Sequence, residues 1–83
     1  MIRVLFFANL RDLAGTDVLE VEAHDIHDVR QLVATFCRDL PPALGEALAD
    51  ESAMVSVDHK YAGWEAAVCD GAEIGFLPPV SGG

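Results

Sequence analysis

One amphipathic helix, predicted for residues 28–39, does most to constrain how this chain of 83 residues can fold. Asp28 is placed to accept hydrogen bonds from the first backbone amides, and Gln31, three residues later, can reach back toward the helix start, as in a capping box. Apolar residues then recur three or four positions apart, which puts them on one face of the helix. These residues are Val29, Leu32, Val33, Phe36 and Leu40. A helix with one apolar face must pack against another element of its domain.

Segments typical of β-strands lie on both sides of this helix. Residues 2–8 are apolar on both alternations, which predicts a strand that is covered on both faces or has one face open to a partner. Residues 17–23 alternate between acidic and apolar side chains, as an edge strand does. Short apolar runs at 54–57, 66–68 and 73–77 predict three further strands. The order of two strands, a helix and three strands predicts an α+β fold, a mixed sheet of about five strands with one main helix packed on one face.

The connecting segments contain weaker signals. Residues 10–14 predict a short helical turn that ends at Gly15, because glycine readily adopts the left-handed conformation after a helix. Residues 43–49 predict a second short helix. Residues 58–61 predict a turn into irregular chain, where Lys60 and Tyr61 are candidate partner contacts.

Apolar side chains are also predicted on the sheet face away from the helix. If the first and last strands pair at the sheet centre, Leu5 and Phe7 lie beside Gly75 and Leu77 on that face. The chain has more apolar residues than so small a core needs, and such a surplus tends to form a surface patch. We therefore predict a partner-docking surface there; the alternative is that a loop covers it.

The chain carries 14 acidic and 5 basic residues, which gives a net charge of −9. This charge would repel phosphate, so it excludes nucleic acid as a partner and disfavours an anionic membrane surface. It suits a basic protein partner, although an acidic surface can also serve only to keep an apolar protein in solution. No run approaches the roughly 18 apolar residues of a membrane span, and no signal-peptide pattern is present, so we expect a cytoplasmic protein.

No set of side chains in the sequence has the spacing of a catalytic or metal site. Cys37 and Cys69 are far apart and form no C-x-x-C pair, so neither a metal site nor a redox pair is predicted. His24, His27 and His59 have no partner at the spacing of a metal site or of a catalytic triad. No glycine-rich phosphate-binding motif occurs. We therefore expect no bound metal or cofactor and no enzyme activity of this chain on its own.

The last six residues form an uncharged extension of the final strand. They are Pro78, Pro79, Val80, Ser81, Gly82 and Gly83. The two prolines cannot donate hydrogen bonds to a sheet, so the strand must end near Leu77, and a flexible tail is predicted from about residue 78. The two glycines lack a Cβ, which leaves the backbone accessible from either side. The tail is predicted to present the carboxylate of Gly83 to another protein, and an ordinary frayed chain end is the alternative.

A terminal carboxylate needs activation before it can react, because it is a poor electrophile. A partner enzyme would first join Gly83 to a nucleotide as a mixed anhydride. A sulfur nucleophile would then give a terminal thiocarboxylate, which is a sulfur donor, whereas an amine would give a protein conjugate. The residues alone leave open a sulfur carrier, a ubiquitin-like modifier and an interaction module whose tail is idle.

Several segments of the chain carry a more specific resemblance. They are residues 1–8, Arg11, residues 13–15, residues 29–32, residues 70–74 and the sequence Phe-Leu-Pro-Pro-Val-Ser-Gly-Gly at residues 76–83. The double proline is the most discriminating part, because thiamin-pathway carriers share the two glycines but usually lack the prolines. The chain resembles the MoaD-type sulfur carriers, the small subunits of molybdopterin synthase, which have a ubiquitin-like β-grasp fold.

The resemblance implies a single β-grasp domain over the whole chain that carries sulfur at its terminus. An E1-like adenylyltransferase would use ATP to adenylate Gly83, and a sulfur-delivering protein would then convert the terminus to a thiocarboxylate, with Gly82 beside the reacting carbonyl. The tail, whose first four residues would contact the partner, would enter the large subunit of molybdopterin synthase in a heterotetramer. There it would give sulfur to cyclic pyranopterin monophosphate in molybdenum cofactor biosynthesis. Family contacts with the large subunit map onto Arg11, Tyr61 and Leu77. The alternatives are a sulfur carrier of the thiamin or cysteine type and a protein modifier.

Overall fold

Five strands and three short helices build residues 1–79, the part of the chain that a computed structural model describes. In chain order they are β1 (Ile2–Phe6), α1 (Asn9–Ala14), β2 (Val18–Val21), α2 (Val29–Phe36), α3 (Pro42–Leu48), β3 (Met54–Val57), β4 (Lys60–Ala62) and β5 (Glu73–Leu77). The strands form one sheet in the order β2-β1-β5-β3-β4. β1 runs parallel to β5, and the other neighbours are antiparallel. The predicted α+β fold with a mixed sheet is confirmed, and the first and last strands pair at its centre.

The core lies between the sheet and α2, because alternate residues of the central strands face that helix. Phe6 of β1, Phe36 of α2 and Phe76 of β5 form an aromatic cluster with ring centroids 5.4, 5.7 and 6.1 Å apart. All three side chains are buried. No polar or charged residue among residues 1–79 is buried, so apolar packing stabilises the interior.

Helix α2 begins almost as the sequence predicts. Asp28 Oδ1 accepts a hydrogen bond from the backbone N–H of Gln31 at 2.8 Å. Gln31 Oε1 accepts one from the backbone N–H of His27 at 2.7 Å, one residue before the position that a capping box uses. The helix ends at Phe36, earlier than the predicted end at residue 39. Pro42 then lies in the first turn of α3, where no backbone N–H is needed for the helix.

The two predicted short helices are both present, as α1 and α3. α1 ends as predicted, because Gly15 adopts the left-handed conformation with φ of 78° and its N–H donates to the carbonyl oxygen of Arg11. A glycine at this position closes the helix without the steric cost that a Cβ would impose.

The sequence prediction for the fourth strand is wrong. The sequence predicts a turn into irregular chain at residues 58–61, but β3 and β4 make a tight hairpin there, with Ser56 opposite Tyr61. Asp58 and His59 occupy its turn with φ of 49° and 72°, the backbone geometry that favours two-residue hairpins. Aspartate and histidine adopt positive φ more often than most residues other than glycine, so this dipeptide can replace the usual Asn-Gly.

The predicted strand at residues 66–68 is not part of the sheet. Ala67 forms an isolated antiparallel bridge with Asp28, and the backbone N–H of Val29 donates to the carbonyl oxygen of Ala66 at 3.1 Å. The segment therefore supplies a hydrogen bond to the first amides of α2, which have no partner within the helix.

Trp64 closes one side of the core, which the sequence analysis did not anticipate. Its ring is buried and lies 5.8 Å from the ring of Phe76. Its indole Nε1–H donates to the carbonyl oxygen of Ala53 at 3.1 Å. The hydrogen bond satisfies the one polar atom of the indole, so the ring can be buried.

Candidate partner-docking surface

A row of uncharged residues crosses all five strands on the sheet face away from α2. Strand register places them side by side in the order Val18, Leu5, Gly75, Ser56 and Tyr61. The two ends of the row are the most accessible, since Val18 is 37% exposed and Tyr61 is 72% exposed. The row is therefore a continuous uncharged strip with accessible apolar and aromatic side chains.

A second row lies one step closer to the tail. Phe7 follows β1 and is 43% exposed, while Leu77 of β5 pairs with Met54 of β3 and both are half-buried. We call the two rows together the open face. It consists of Leu5, Phe7, Val18, Met54, Ser56, Tyr61, Gly75 and Leu77. The sequence prediction that residues 5, 7, 75 and 77 share one face beside the tail agrees with this arrangement, while their role in docking stays a prediction.

Gly75 provides space for the ring of Phe7. A Cβ built on Gly75 would lie 3.3 Å from Cε2 of Phe7 and 2.5 Å from Oγ of Ser56. The second distance is shorter than real Cβ contacts, so a larger residue would displace its neighbours. The glycine thus lets an aromatic ring pack against the middle of the sheet, where its outer side remains available to a partner.

Charged groups lie at the end of the open face that is farther from the tail. His59 Nε2 lies 2.8 Å from Glu73 Oε2, and Arg3 Nε lies 3.8 Å from Glu73 Oε1. The backbone N–H of Glu73 donates to Asp58 Oδ1 at 2.9 Å. These charged side chains therefore contact one another at that end, and the residues of the open face beside the tail carry no charge.

Arg11 lies beside the open face, as its predicted role in partner contact requires. With Leu5, Phe7 and Val18 it lines a shallow groove of about 280 Å³. Its side chain is exposed, and its nearest carboxylate within residues 1–79 is Asp12, with Nε and Oδ1 4.0 Å apart. The guanidinium can therefore meet a carboxylate of a partner that covers the open face.

The chain leaves the sheet where the sequence predicts. Leu77 is the last residue of β5, Pro78 is half-buried, and Pro79 is exposed. The remaining predicted tail residues lie outside the described part of the chain. They are Val80, Ser81, Gly82 and Gly83. Their roles in sulfur transfer and partner contact stay predictions.

The side chains that the sequence analysis considered for chemistry do not come together. Cys37 is half-buried, and this burial raises the pKa of its thiol, which disfavours the thiolate form that a nucleophile needs. Cys69 is exposed. Throughout residues 1–79, no group of three or more His, Cys, Asp or Glu side chains could hold a metal ion. None of the helices in that range is long and apolar enough to span a membrane.

Three members of the open face were not predicted from the sequence: Val18, Met54 and Ser56. Val18 shares its alternation with the acidic residues of β2, a pattern that indicates a solvent-facing side chain. Met54 and Ser56 join the face through their pairing with β5. The alternation within residues 54–57 carries this signal, because it separates these two residues from the valines that pack on α2.

Comparisons with known proteins agree with this architecture over the full chain. The chain is 36% identical over 85 aligned residues to the molybdopterin synthase sulfur carrier subunit of Escherichia coli strain K12, covering 100% of both. A solved Pyrococcus furiosus structure, assigned as subunit 1 of molybdopterin converting factor, is 28% identical, with a TM-score of 0.77 over 95% of this chain and 97% of that one.

A third structural similarity supports only the assignment of the fold. It is to a chain in the complex of subunits 1 and 2 of molybdopterin-converting factor from Helicobacter pylori, at 23% identity and a TM-score of 0.65. That comparison covers 99% of this chain and 97% of that one. The ThiS family model matches residues 4–83, which is nearly the whole chain. This match, together with the 36% identity over the full length of the carrier subunit from Escherichia coli, shows that the chain belongs to the ThiS family.

Proposed function

We propose that this chain is the sulfur-carrier subunit of molybdopterin synthase and that Gly83 carries the sulfur. The observation that carries the proposal is the full-length similarity to a carrier subunit of that enzyme. The sequence ending Pro-Pro-Val-Ser-Gly-Gly supports it. So does the open face, because an apolar surface beside the start of the tail suits a carrier that docks on an enzyme before its terminus reacts.

The chemistry takes place at the terminal carboxyl group and needs no side chain of this protein. An E1-like enzyme transfers AMP from ATP to the carboxylate of Gly83 and releases pyrophosphate. Sulfide supplied by a sulfur-delivering protein then attacks the acyl carbon and displaces AMP, which leaves a thiocarboxylate; a persulfide sulfur would instead give an acyl disulfide, which a thiol must then reduce. When that sulfur passes to cyclic pyranopterin monophosphate, water attacks the acyl carbon and supplies the oxygen that returns the terminus to a carboxylate. ATP is the substrate of the activating partner, and its use agrees with a reaction in the cytoplasm.

Docking is the task that this chain's own residues perform. The open face would be buried against the large subunit, with the Phe7 ring and the Tyr61 ring as aromatic contacts and Arg11 at the border. Aromatic and arginine side chains often dominate the energy of such interfaces. Leu77 lies at the point from which the tail would continue into the active site of the large subunit. Assembly of the two kinds of subunit into a heterotetramer is part of the proposal.

Intact-mass spectrometry tests the sulfur-carrier proposal. The purified chain is incubated with the activating enzyme, ATP and a sulfur source, and the expected product differs by replacement of one terminal oxygen by sulfur. The matched control lacks Gly83 and should remain at its starting mass. An unchanged mass of the complete chain under conditions that convert a known carrier would contradict the proposal, and so would products in which the terminus is joined to lysines.

A binding experiment separates sulfur transfer from docking. A chain that lacks Gly82 and Gly83 keeps the open face, so it should bind the large subunit but donate no sulfur to the pterin precursor. If this shortened chain supports full pterin conversion, the terminus is not the sulfur donor. If neither form binds the large subunit, the proposed partner is wrong.

A further inference from the structure

A second groove lies on the side of the sheet that α2 covers. It has a volume of about 210 Å³ and runs between β2 and the end of α2. Its apolar lining comes from Leu19 and Val21 of β2 and from Phe36 and Leu40. Leu19, Val21 and Leu40 are only half-buried. The groove is therefore separate from the open face and can accept an apolar side chain of moderate size.

The strand beside this groove has backbone groups available for pairing. β2 is at the edge of the sheet, with β1 as its neighbour. The N–H of Phe6 donates to the carbonyl oxygen of Asp17 at 3.0 Å. Along an antiparallel strand, the N–H and C=O of one residue point to the neighbouring strand and those of the next residue point away from it. Because Asp17 bonds to β1, the N–H and C=O of Glu20, three residues later, point away from β1. No backbone group within residues 1–79 bonds to them on that side.

The outward groups at the beginning of β2 are already occupied. Thr16 Oγ1 donates to the carbonyl oxygen of Val18 at 2.9 Å and lies 3.4 Å from the Val18 nitrogen. An added strand would therefore pair with β2 at Glu20 and extend toward Glu22. This limits the site to a short segment at the wider part of the groove.

The charges around the site select the partner. Asp39 borders the groove, and no basic residue lines it. Glu20 and Glu22 belong to the same edge, and their side chains share the opposite face of β2 with Val18. Arg3 is opposite Glu20 across the strand pair, but its Nε is within 3.8 Å of the Glu73 carboxylate. A second copy of this chain would bring the same acidic edge and another net charge of −9. Like charges directly opposite each other destabilise a strand pair, so a basic strand fits and a second copy does not.

We propose that β2 and its groove bind an extended, basic segment of another protein, which adds to the sheet as a sixth strand. Its backbone would bond to the N–H and C=O of Glu20, and one aliphatic side chain would enter the groove between Leu19 and Leu40. The lysine or arginine side chains on either side of it would point to the opposite face of the sheet, where Glu20 and Glu22 lie. Peptides that add to a sheet edge combine backbone bonds with side-chain pockets in this way. The site is independent of the proposed sulfur chemistry and leaves most of the open face accessible.

The test uses the complete chain and the peptide acetyl-Lys-Val-Lys-Val-Lys-amide. In an NMR titration, the peptide should shift the amides of β2 and of Asp39 and Leu40 and leave Tyr61 unaffected. Hydrogen exchange at the Glu20 amide should slow by about fivefold or more at saturation, since that N–H gains a partner. The peptide acetyl-Glu-Val-Glu-Val-Glu-amide, with the same backbone and reversed charge, should produce neither effect.

A pair of variants separates the backbone bond from the charge. Glu20→Gln removes the charge and keeps the N–H, whereas Glu20→Pro removes both, and proline is tolerated on an edge strand where the N–H faces outward. The proline variant should bind the basic peptide about fivefold more weakly than the glutamine variant, the effect of one lost hydrogen bond. Circular dichroism checks that both variants remain folded.

Several outcomes would overturn the proposal. Equal binding of the two peptides would remove the charge selection, and shifts confined to the open face would place the peptide elsewhere. Dimers of the free chain in sedimentation experiments would make a second copy the occupant. If Glu20→Pro unfolds, the exchange rate of the Glu20 amide in the unaltered chain still decides, because a rate that the basic peptide does not change excludes strand addition.

Discussion

Replacement of Phe7 by alanine should weaken binding of the chain to the synthase large subunit by about 30-fold. The ring is 43% exposed in the free chain. A phenylalanine side chain has about 200 Å² of surface, so docking can bury about 85 Å² that water now contacts. At roughly 25 cal/mol per Å², the lost burial is worth about 2 kcal/mol. That free energy corresponds to about 30-fold in Kd.

The same substitution also removes packing within the free chain, so binding must be measured against a matched control. Phe7 packs against Gly75, and alanine there should lower the free energy of unfolding by an amount that thermal denaturation reports. Val33→Ala is the control, because Val33 is a half-buried apolar residue on α2, on the other side of the sheet. It should lower stability and leave Kd unchanged.

Calorimetric titration of the large subunit at a temperature where all three chains are folded gives the three Kd values. A Kd for Phe7→Ala within about threefold of that of the unaltered chain would refute the prediction. Even the lowest area coefficient, roughly 20 cal/mol per Å², predicts a loss of about 15-fold. The prediction also fails if Val33→Ala weakens binding as much as Phe7→Ala does. In that case stability, and not the open face, would control association.

Three further predictions concern the structure itself. Gly75→Ala should destabilise the chain by about 1 to 3 kcal/mol in urea unfolding, because its Cβ would lie 2.5 Å from Ser56 Oγ; Gly75→Ala with Ser56→Gly should recover most of the loss. Trp64→Phe should cost about 1 to 3 kcal/mol, since the carbonyl oxygen of Ala53 loses its indole donor, and an unchanged unfolding midpoint would show that water replaces the donor. Glu51 accepts hydrogen bonds from an arginine of α2, which hold the pKa of its carboxyl below the ordinary value. The stability from this pair is therefore present above about pH 4.3 and is lost as the pH falls through the lowered pKa, so Glu51→Gln should flatten the acid side of a plot of unfolding free energy against pH.

Features that depend on a few neighbouring residues were predictable from the sequence. The N-cap at Asp28, the apolar face of α2 and the left-handed Gly15 agree with the structure because each follows from local backbone and side-chain preferences. The alternation of β1 was equally informative. It indicated a strand with apolar residues on both faces, and Leu5 and Phe7 indeed lie on the open face while the alternate residues are buried.

The prediction failed where pairing with another segment outweighs the composition of the segment itself. Residues 66–68 have the composition of a strand, yet they pair with the start of α2. β4 has weak strand character and forms because the Asp58-His59 turn directs it back along β3. Tertiary pairing overrides the local preference in both cases, since β propensity depends mainly on the neighbouring strand.

The sequence alone determined the class of fold, the net charge of −9 and the uncharged ending with its two glycines, because composition and periodicity can be read from neighbouring residues. Only the tertiary structure decided which residues form the open face. Val18 and Tyr61 are more than forty positions apart, and they belong to one row because β1, β5 and β3 lie between their strands in a single register. β2 likewise has a free edge only because of the strand order of the assembled sheet. Its groove exists only once α2 has packed on that sheet.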